Sequence, residues 1–280
     1  MSVTRPILRY HGGKFGAHGS VADWTIAQLP THRVYVEPFG GAASVLLRKP
    51  RAYAEVYNDL SGEVVNVFQQ MRDRPAELER LLRLTPFARA EFQAACKPAE
   101  DALEQARRTI VRSLMGHSTA SATPGYATGF RANSNRSGTT PARDWLAYPG
   151  NVDDFAARLQ GVVIEQRDGC EVMRQHDGRQ TLHFVDPPYV AESRKSVGAY
   201  VHEMTNADHR ALAECLRGLT GMVVLCGYPS ALYDELYPDW PRIDRKAYAD
   251  GARERTECLW FNPSAWEARP AQELPLEVPA

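Results

Sequence analysis

The sequence lacks the cysteine patterns of a secreted or metal-binding protein. Its 280 residues include five cysteines, an odd and widely spaced set without a CxxC pair. We therefore expect neither a disulfide framework nor a zinc site, and a reducing cytoplasm fits best. The first fourteen residues have no apolar h-region, and no stretch approaches the roughly 20 apolar residues that cross a bilayer. A secretory signal and a membrane anchor are not expected either.

Acidic residues are missing from one segment of an otherwise balanced chain. The formal net charge of −1 does not by itself indicate a nucleic-acid-binding protein. Residues 105–143, however, include six arginines and no Asp or Glu. A local basic surface on a near-neutral protein suits a polyanionic partner. The alternative is an ordinary solvated face with a chance gap in acids.

Short apolar runs rich in Val and Tyr alternate with helical patterns along much of the chain. The runs predict buried strands at residues 33–37, 53–57, 162–165, 181–185, 221–226 and 257–261. Helical patterns lie at residues 20–29, 62–72, 153–159 and 206–219, the last with Asn206 as its expected N-cap. This alternation predicts an α/β fold with a mostly parallel sheet.

The alternation stops between residues 75 and 150. Helical patterns at 76–84, 88–95 and 101–115 are followed by a mixture of Gly, Ser, Thr, Asn and Arg at 116–143. A loop this long inside a compact domain is usually functional or disordered. We expect a catalytic domain of residues 1–74 and 151–266, an insertion of residues 75–150, and a flexible tail of residues 267–280.

The sharpest motif is a D-P-P-Y at residues 186–189, directly after the predicted strand 181–185. Open α/β sheets bind ligands outside the carboxyl ends of their strands. The two prolines stiffen the turn, so the Pro187 carbonyl would lie beside the Asp186 carboxylate and the Tyr189 ring. Two acceptors and a stacking ring match an exocyclic amine on a flat base. A stiff surface turn with a packed tyrosine is the alternative.

A second motif is the glycine pair Gly40 and Gly41, between a predicted strand and a helix. Small residues there let a ligand approach the backbone at a helix N-terminus. Two alanines follow the pair, so this is not the GxGxxG of dinucleotide-binding proteins. Asp59, 19 residues beyond Gly40, either holds ribose hydroxyls or caps the next helix. The Gly-Gly-Lys that ends at Lys14 lacks the spacing of a Walker A loop.

Together these motifs resemble the D12 class of adenine-specific DNA methyltransferases, the Dam-like enzymes, and especially their phage-encoded members. One departure is Cys226, where phage relatives usually have Ser. The matching segments occur in the family's order between residues 8 and 263: YHGGK, VEPFGGAAS, YNDLSGEVVNVF, FRANSNRSG, FVDPPYV, YVHEMTNADHRALAECL, VVLCGYPSALY and RTECLWFNP.

The resemblance implies a Rossmann-like S-adenosylmethionine-dependent methyltransferase sheet with a mainly helical target-recognition insertion. It implies in-line transfer of a methyl group from S-adenosyl-L-methionine to the N6 amine of a flipped adenine in double-stranded DNA, without a metal. The resemblance is equally compatible with an enzyme that has a partner restriction nuclease and with one that has no such partner. The catalytic residues would be Asp186, Pro187, Pro188 and Tyr189, with Tyr189 stacked on the extruded base. The cofactor-binding residues would be Tyr10, Lys14, Glu37, Pro38, Phe39, Gly40, Gly41, Asp59 and Asp186. The DNA-reading residues would be Arg131, Asn133 and Arg136.

Other functions share parts of this sequence pattern. An RNA adenine or N4-cytosine methyltransferase shares the chemistry, and Asp at the first motif position favours adenine only by analogy. A catalytically silent nucleic-acid-binding relative is a second alternative, against which the presence of Lys14, Asp59 and Asp186 speaks. The missing GxGxxG speaks against a nicotinamide oxidoreductase. The lack of a cysteine in a Pro-Cys setting speaks against a C5-cytosine methyltransferase.

Overall fold

The protein is built around one twisted sheet at its centre. A computed structural model describes residues 3–15, 20–126, 128–133, 139–194, 200–249 and 253–270. Its strands are β1 (Val34–Glu37), β2 (Ala54–Asn58), β3 (Val162–Glu165), β4 (Thr181–Val185), β5 (Met222–Gly227), β6 (Arg242–Ala249) and β7 (Arg253–Phe261). The strand order is β3-β2-β1-β4-β5-β7-β6. The strands β1 to β5 run parallel, and β7 runs antiparallel to both of its neighbours. The mixed α/β fold with a mostly parallel sheet is confirmed.

Helices cover both faces of this sheet. They are α1 (Val21–Gln28), α2 (Ser44–Arg48), α3 (Gly62–Asp73), α4 (Pro75–Leu84), α5 (Arg89–Ala95), α6 (Ala102–Met115), α7 (Pro141–Ala147), α8 (Val152–Leu159), α9 (Gly169–Gln175), α10 (Asn206–Arg217), α11 (Ala231–Leu236) and α12 (Pro263–Glu267). Every residue of β4 and β5 is buried, as expected for strands covered on both faces. No helix within the described ranges is both long and apolar enough to cross a membrane.

Several elements differ from the sequence prediction. The helices α7, α9, α11 and α12 were not predicted, and β7 begins at Arg253, four residues before the predicted strand 257–261. The strand β6 was missed because its sequence, RIDRKAYA, mixes charged and apolar residues. It lies at the edge of the sheet, where β7 is its one neighbour among the described strands, so burial does not require a continuous apolar run. The prediction that Asn206 caps α10 was wrong by one residue. The cap is Thr205, which forms a reciprocal capping box with Asp208.

The described part of residues 75–150 is mainly helical, and α4 and α6 pack against α3. The helix α6 packs along α3, and Leu78, Phe92 and Ile110 share one hydrophobic core with Val65 and Phe68 of α3. Beyond α6, the polar segment is not wholly irregular. It contains a 3-10 helix, Thr119–Ala122, and a β-bridge that joins Gly116 to Phe130.

The acid-free run of sequence does not form a uniformly basic surface. Three of its six arginines lie on α6, and carboxylates from outside the run neutralise them. Arg112 is almost completely buried. The pairs join Arg107 to Glu104 and Glu91, Arg108 to Glu104, and Arg112 to Glu63. For the α6 part of the run, the expectation of a free basic surface was therefore wrong.

Candidate active site

A cavity of about 590 Å³ opens where the strand order of the sheet reverses. β1 and β4 are neighbours there, but the chain continues from β1 towards one edge of the sheet and from β4 towards the other. A crevice at the carboxyl ends of such strands is the usual ligand site of open α/β sheets. β1 ends on Glu37 and β4 leads directly into Asp186, and both residues line the cavity.

The glycine turn after β1 is fixed by its neighbours. A Cβ atom on Gly40 would lie 2.1 Å from the Tyr57 ring, and Gly41 has a positive φ of 48°. The Gly41 amide donates a 2.8 Å hydrogen bond to one Asp59 oxygen, and the Ser61 amide donates a 2.7 Å bond to the other. Asp59 thereby ties the glycine turn to the end of β2.

Two roles were expected for Asp59, namely holding ribose hydroxyls or capping the next helix. The N-cap of α3 is Ser61, and the Asp59 side chain makes an Asx-type bond to Ser61 instead of capping the helix. Burial raises the pKa of Asp59, although the two amide bonds oppose the rise. Because Asp59 lines the cavity, its carboxylate oxygens are within reach of a ligand there.

Glu37 is a buried carboxyl group at the end of β1. Its Oε2 atom accepts hydrogen bonds from the Tyr35 hydroxyl (2.7 Å) and the Leu46 amide (3.0 Å). Burial raises its pKa to about 8, although these two bonds act in the opposite direction. Glu37 is therefore largely protonated at pH 7 and can gain a negative charge when a cation approaches.

Lys14 and Asp186 form a buried ion pair in the cavity. Only 4% of the Lys14 side chain is exposed, and its amide donates to the Ser44 hydroxyl at 3.1 Å. Burial alone would lower the pKa of Lys14, but Asp186, Cys226 and Glu257 together hold that pKa well above its usual value. The second oxygen of Asp186 is buried and has no hydrogen-bond partner within the described part of the chain. An orphaned acceptor of this kind needs a donor, and a bound ligand can supply it.

Tyr189 lies mostly buried beside this pair. Its hydroxyl donates to Glu257 Oε2 at 2.9 Å and lies 3.3 Å from Cys226 Sγ. Its ring contacts Tyr228 edge to face, with centroids 4.6 Å apart, and the Lys14 ammonium lies 5.3 Å from its centroid. Glu257 and Tyr228 were not predicted as site residues. The one available signal was a carboxylate at the start of an apolar strand.

The structure brings most of the predicted catalytic and cofactor residues together, but not all predicted residues. Tyr10, Phe39 and Pro188 also line the cavity. Pro38 and Pro187 are buried and do not line it; the Pro38 carbonyl accepts a bond from the Asn58 amide instead. The predicted DNA-reading residues Arg131 and Asn133 lie elsewhere, and Arg136 is outside the described residues.

The lining of the cavity is acidic. Lys14 is the one Lys or Arg among its described lining residues. No group of three or more His, Cys, Asp or Glu in the described ranges could hold a metal ion. Carboxylates suit a ligand with cationic groups and hydroxyls, and they oppose a polyphosphate. Three further lining carboxylates were not predicted. They lie at the N-cap of α9, in the segment before α10 and on α10 itself: Asp168, Glu203 and Asp208.

Comparison with known proteins gives one strong match. The model of the D12 class N6 adenine-specific DNA methyltransferase family matches residues 10–247, most of the chain. Among solved structures, the chain is similar to a Clostridium thermocellum protein described as an rRNA-methylase. That similarity has a TM-score of 0.37 and 8% identity, and it covers 86% of this chain and 94% of that one. It is too distant to bear on function.

Proposed function

The chain belongs to the D12 class of N6 adenine-specific DNA methyltransferases, and from this premise we propose how it carries out adenine methylation. The methyl donor is S-adenosyl-L-methionine, and the acceptor is the N6 amine of an adenine that has left a DNA duplex. The observation that carries the proposal is one buried oxygen of Asp186, which has no hydrogen-bond partner among the described residues and belongs to the cavity at the ends of β1 and β4.

The cavity lining fits the proposed cofactor. S-adenosylmethionine supplies, when bound, an electrophilic methyl group on a positively charged sulfur. Glu37 and Asp186 would favour its cationic groups, and Asp59 would accept hydrogen bonds from its ribose hydroxyls. Gly40 and Gly41 also line the cavity, where their backbone would contact the cofactor. A nicotinamide dinucleotide would instead bring phosphates towards these carboxylates, so the structure offers an oxidoreductase no support.

Asp186 would bind the target amine. The lone pair of an adenine N6 atom is delocalised into the ring, and acceptors on its N–H groups favour a pyramidal, nucleophilic nitrogen. The Asp186 oxygen that has no partner among the described residues would be one acceptor. The Pro187 carbonyl, expected as the other, belongs to a residue that does not line the cavity. Bond formation between the nitrogen and the methyl carbon would break the carbon–sulfur bond of the donor and leave a neutral thioether. Asp186 would accept the proton that the methylated nitrogen sheds. Positioning and electrostatics carry the rate in this scheme.

The rest of the chain would bring the base to this point. Extruding a base costs a few kcal/mol, which contacts in the pocket must offset. Tyr189 would stack on the extruded adenine. Residues 75–150 would serve as the target-recognition insertion, with Arg131 and Asn133 as its DNA-reading residues within the described chain.

Product analysis tests the proposal. The purified protein is incubated with S-adenosylmethionine that carries a labelled methyl group and with duplex DNA of mixed sequence, and the DNA is digested to nucleosides. We expect the label in N6-methyldeoxyadenosine and none in cytosine nucleosides. With Asp186→Ala we expect no labelled nucleoside. Parallel incubations with RNA separate the nucleic-acid classes. Label in N4-methylcytosine, or in RNA but not DNA, would overturn the proposal.

A further inference from the structure

Glu257 is a carboxylate in a place where a carboxylate is costly. It begins the buried run of β7, and only 9% of its surface is exposed. Burying an ionisable group requires compensating contacts. Glu257 finds them in the Tyr189 hydroxyl at 2.9 Å and in Cys226 Sγ at 3.8 Å. The first of these partners belongs to the proposed catalytic turn.

The bond crosses the sheet. Tyr189 follows β4, whereas Glu257 lies on β7, and β5 separates the two strands. Cys226 of the intervening β5 contacts both side chains. Carboxylate, thiol and phenol therefore form one buried cluster across three neighbouring strands, next to the Lys14 and Asp186 pair.

The cluster holds the far end of the Tyr189 ring. A buried tyrosine needs a partner for its hydroxyl, and this one is anchored 2.9 Å from Glu257. Edge-to-face contact with Tyr228 limits the ring from one side. Only two prolines separate Tyr189 from Asp186, so the orientation of the ring and that of the carboxylate are coupled through a stiff turn.

We propose that Glu257 is a positioning residue that fixes the Tyr189 ring, and with it the base-binding wall of the site, through the Tyr189 hydroxyl. This inference rests on the proposed function. Small displacements of reacting groups matter because a misplacement of about 1 Å can cost about 100-fold in rate. Glu257 touches neither cofactor nor base in this scheme and acts through Tyr189.

A second route for Glu257 must be separated from the first. After Asp186, the charge of Glu257 also helps to raise the pKa of Lys14, so the residue could act through its charge. Glu257→Gln keeps an oxygen that accepts the phenol proton but removes the charge. Tyr189→Phe keeps the ring but removes the hydroxyl. The kcat values of these two variants separate the loss of the hydrogen bond from the loss of the Glu257 charge.

The test is a double-mutant cycle on the intact protein with duplex DNA. We measure kcat, KM for S-adenosylmethionine and thermal midpoint for wild type, Tyr189→Phe, Glu257→Ala, Glu257→Gln and the Tyr189→Phe/Glu257→Ala pair. We expect Tyr189→Phe and Glu257→Ala each to lower kcat about tenfold, as for one lost hydrogen bond to a charged group, with KM changed less than about twofold. The pair should lose no more than either single variant, and Glu257→Gln should keep most of the wild-type kcat.

Several outcomes would overturn the positioning role. Effects that multiply to about 100-fold in the pair would make the two residues independent, and a Glu257→Gln variant as slow as Glu257→Ala would assign the effect to charge.

Glu235→Ala, which removes an exposed carboxylate paired with Arg210, is the control and should match wild type. If Glu257→Ala does not fold, the kcat values of Glu257→Gln and Tyr189→Phe still test the positioning role. It predicts that Glu257→Gln keeps most of the wild-type kcat and that Tyr189→Phe does not. A folded wild type without methyl transfer would contradict the proposed function itself, whereas additive variants of an active enzyme contradict only this inference.

Discussion

The two oxygens of Asp186 have different surroundings. One pairs with the buried ammonium of Lys14, and the other has no partner among the described residues. The sequence motif alone suggests a residue needed for chemistry and dispensable for folding. The ion pair changes that expectation, because removing Asp186 leaves a cation buried without its counter-charge.

We therefore predict that Asp186→Ala loses methyl transfer and also loses about 2 kcal/mol of unfolding free energy, a value reduced for the partial exposure of Asp186. The Lys14→Met/Asp186→Ala pair should recover most of the thermal midpoint and none of the turnover. Asp234→Ala, which removes an exposed partner of Arg242, is the matched control. Turnover in either Asp186 variant would remove this residue from the chemistry. A double variant as unstable as the single one would show that the ion pair is not the cause.

A second prediction concerns the proton on Glu37. Burial raises its pKa to about 8, and a bound cation favours the carboxylate. Below pH 8, binding must therefore release a proton, so S-adenosylmethionine affinity should rise between pH 6 and pH 8, by up to about tenfold per unit, and level off above.

Calorimetry at pH 6, 7, 8 and 9 on the parent and on Glu37→Gln checks this. The variant has no proton to release at this position, so its pH dependence reports only the titration of the ligand. The difference between the parent and the variant in the slope of affinity against pH is the contribution of Glu37. Equal slopes would mean that Glu37 does not change its protonation when the cofactor binds.

At the scale of whole elements, the strands were predictable where burial dictates their composition. β4 and β5 are covered on both faces, so they are continuous apolar runs. The edge strand β6 has no such requirement and was missed. The meeting of Glu37 with Asp186 was also foreseeable, because parallel strands present their carboxyl ends at one edge of the sheet.

Contacts made far along the chain were not predictable. Glu257 lies 68 residues beyond Tyr189, and no local pattern says that the two side chains meet across β5. The ion pair of Arg112 with Glu63 likewise spans 49 residues. The absence of acids from a stretch of sequence therefore said little about the charge of the surface it forms.

The turn between β1 and α2 gives an element-scale prediction. A Cβ atom on Gly40 would clash with the Tyr57 ring. That ring stacks on Phe68, with centroids 4.3 Å apart, so it has no space to move away. Gly40→Ala should therefore displace the turn, lower the unfolding free energy by about 1–3 kcal/mol, and weaken S-adenosylmethionine binding at least tenfold.

Gly150→Ala is the matched control, because a Cβ atom there meets nothing within 4 Å. Thermal unfolding and calorimetry on both variants supply the comparison. Cofactor affinity that survives Gly40→Ala would place the binding surface away from this turn.

At the scale of the whole molecule, the open question is where a chain of net charge −1 meets DNA. The arginines of α6 are occupied by carboxylates. Arg131 lies beyond them, on the segment that bridges back to Gly116. It belongs to the part of the insertion that most resembles the family, so it is our candidate for contact with DNA.

We predict that Arg131→Ala weakens DNA binding while Arg108→Ala does not. A phosphate contact would lower affinity for all sequences and reduce the salt dependence by about one counterion. A base contact would cost about 1–3 kcal/mol on the preferred site and relax discrimination there. Binding to matched and scrambled duplexes at several salt concentrations distinguishes the two. If Arg131→Ala equals the parent in affinity, salt slope and preference, the DNA-reading surface lies elsewhere.

The central claim, that this cavity methylates adenine N6 in DNA through Asp186, is tested most directly inside cells. Wild type and Asp186→Ala are expressed in a host without adenine methylation of its own, and modified bases are mapped across the genome by methylation-sensitive sequencing. The account predicts N6-methyladenine at one short recurring sequence with the wild type and none with the variant. Equal modification by both proteins, or modification of cytosine alone, would contradict it.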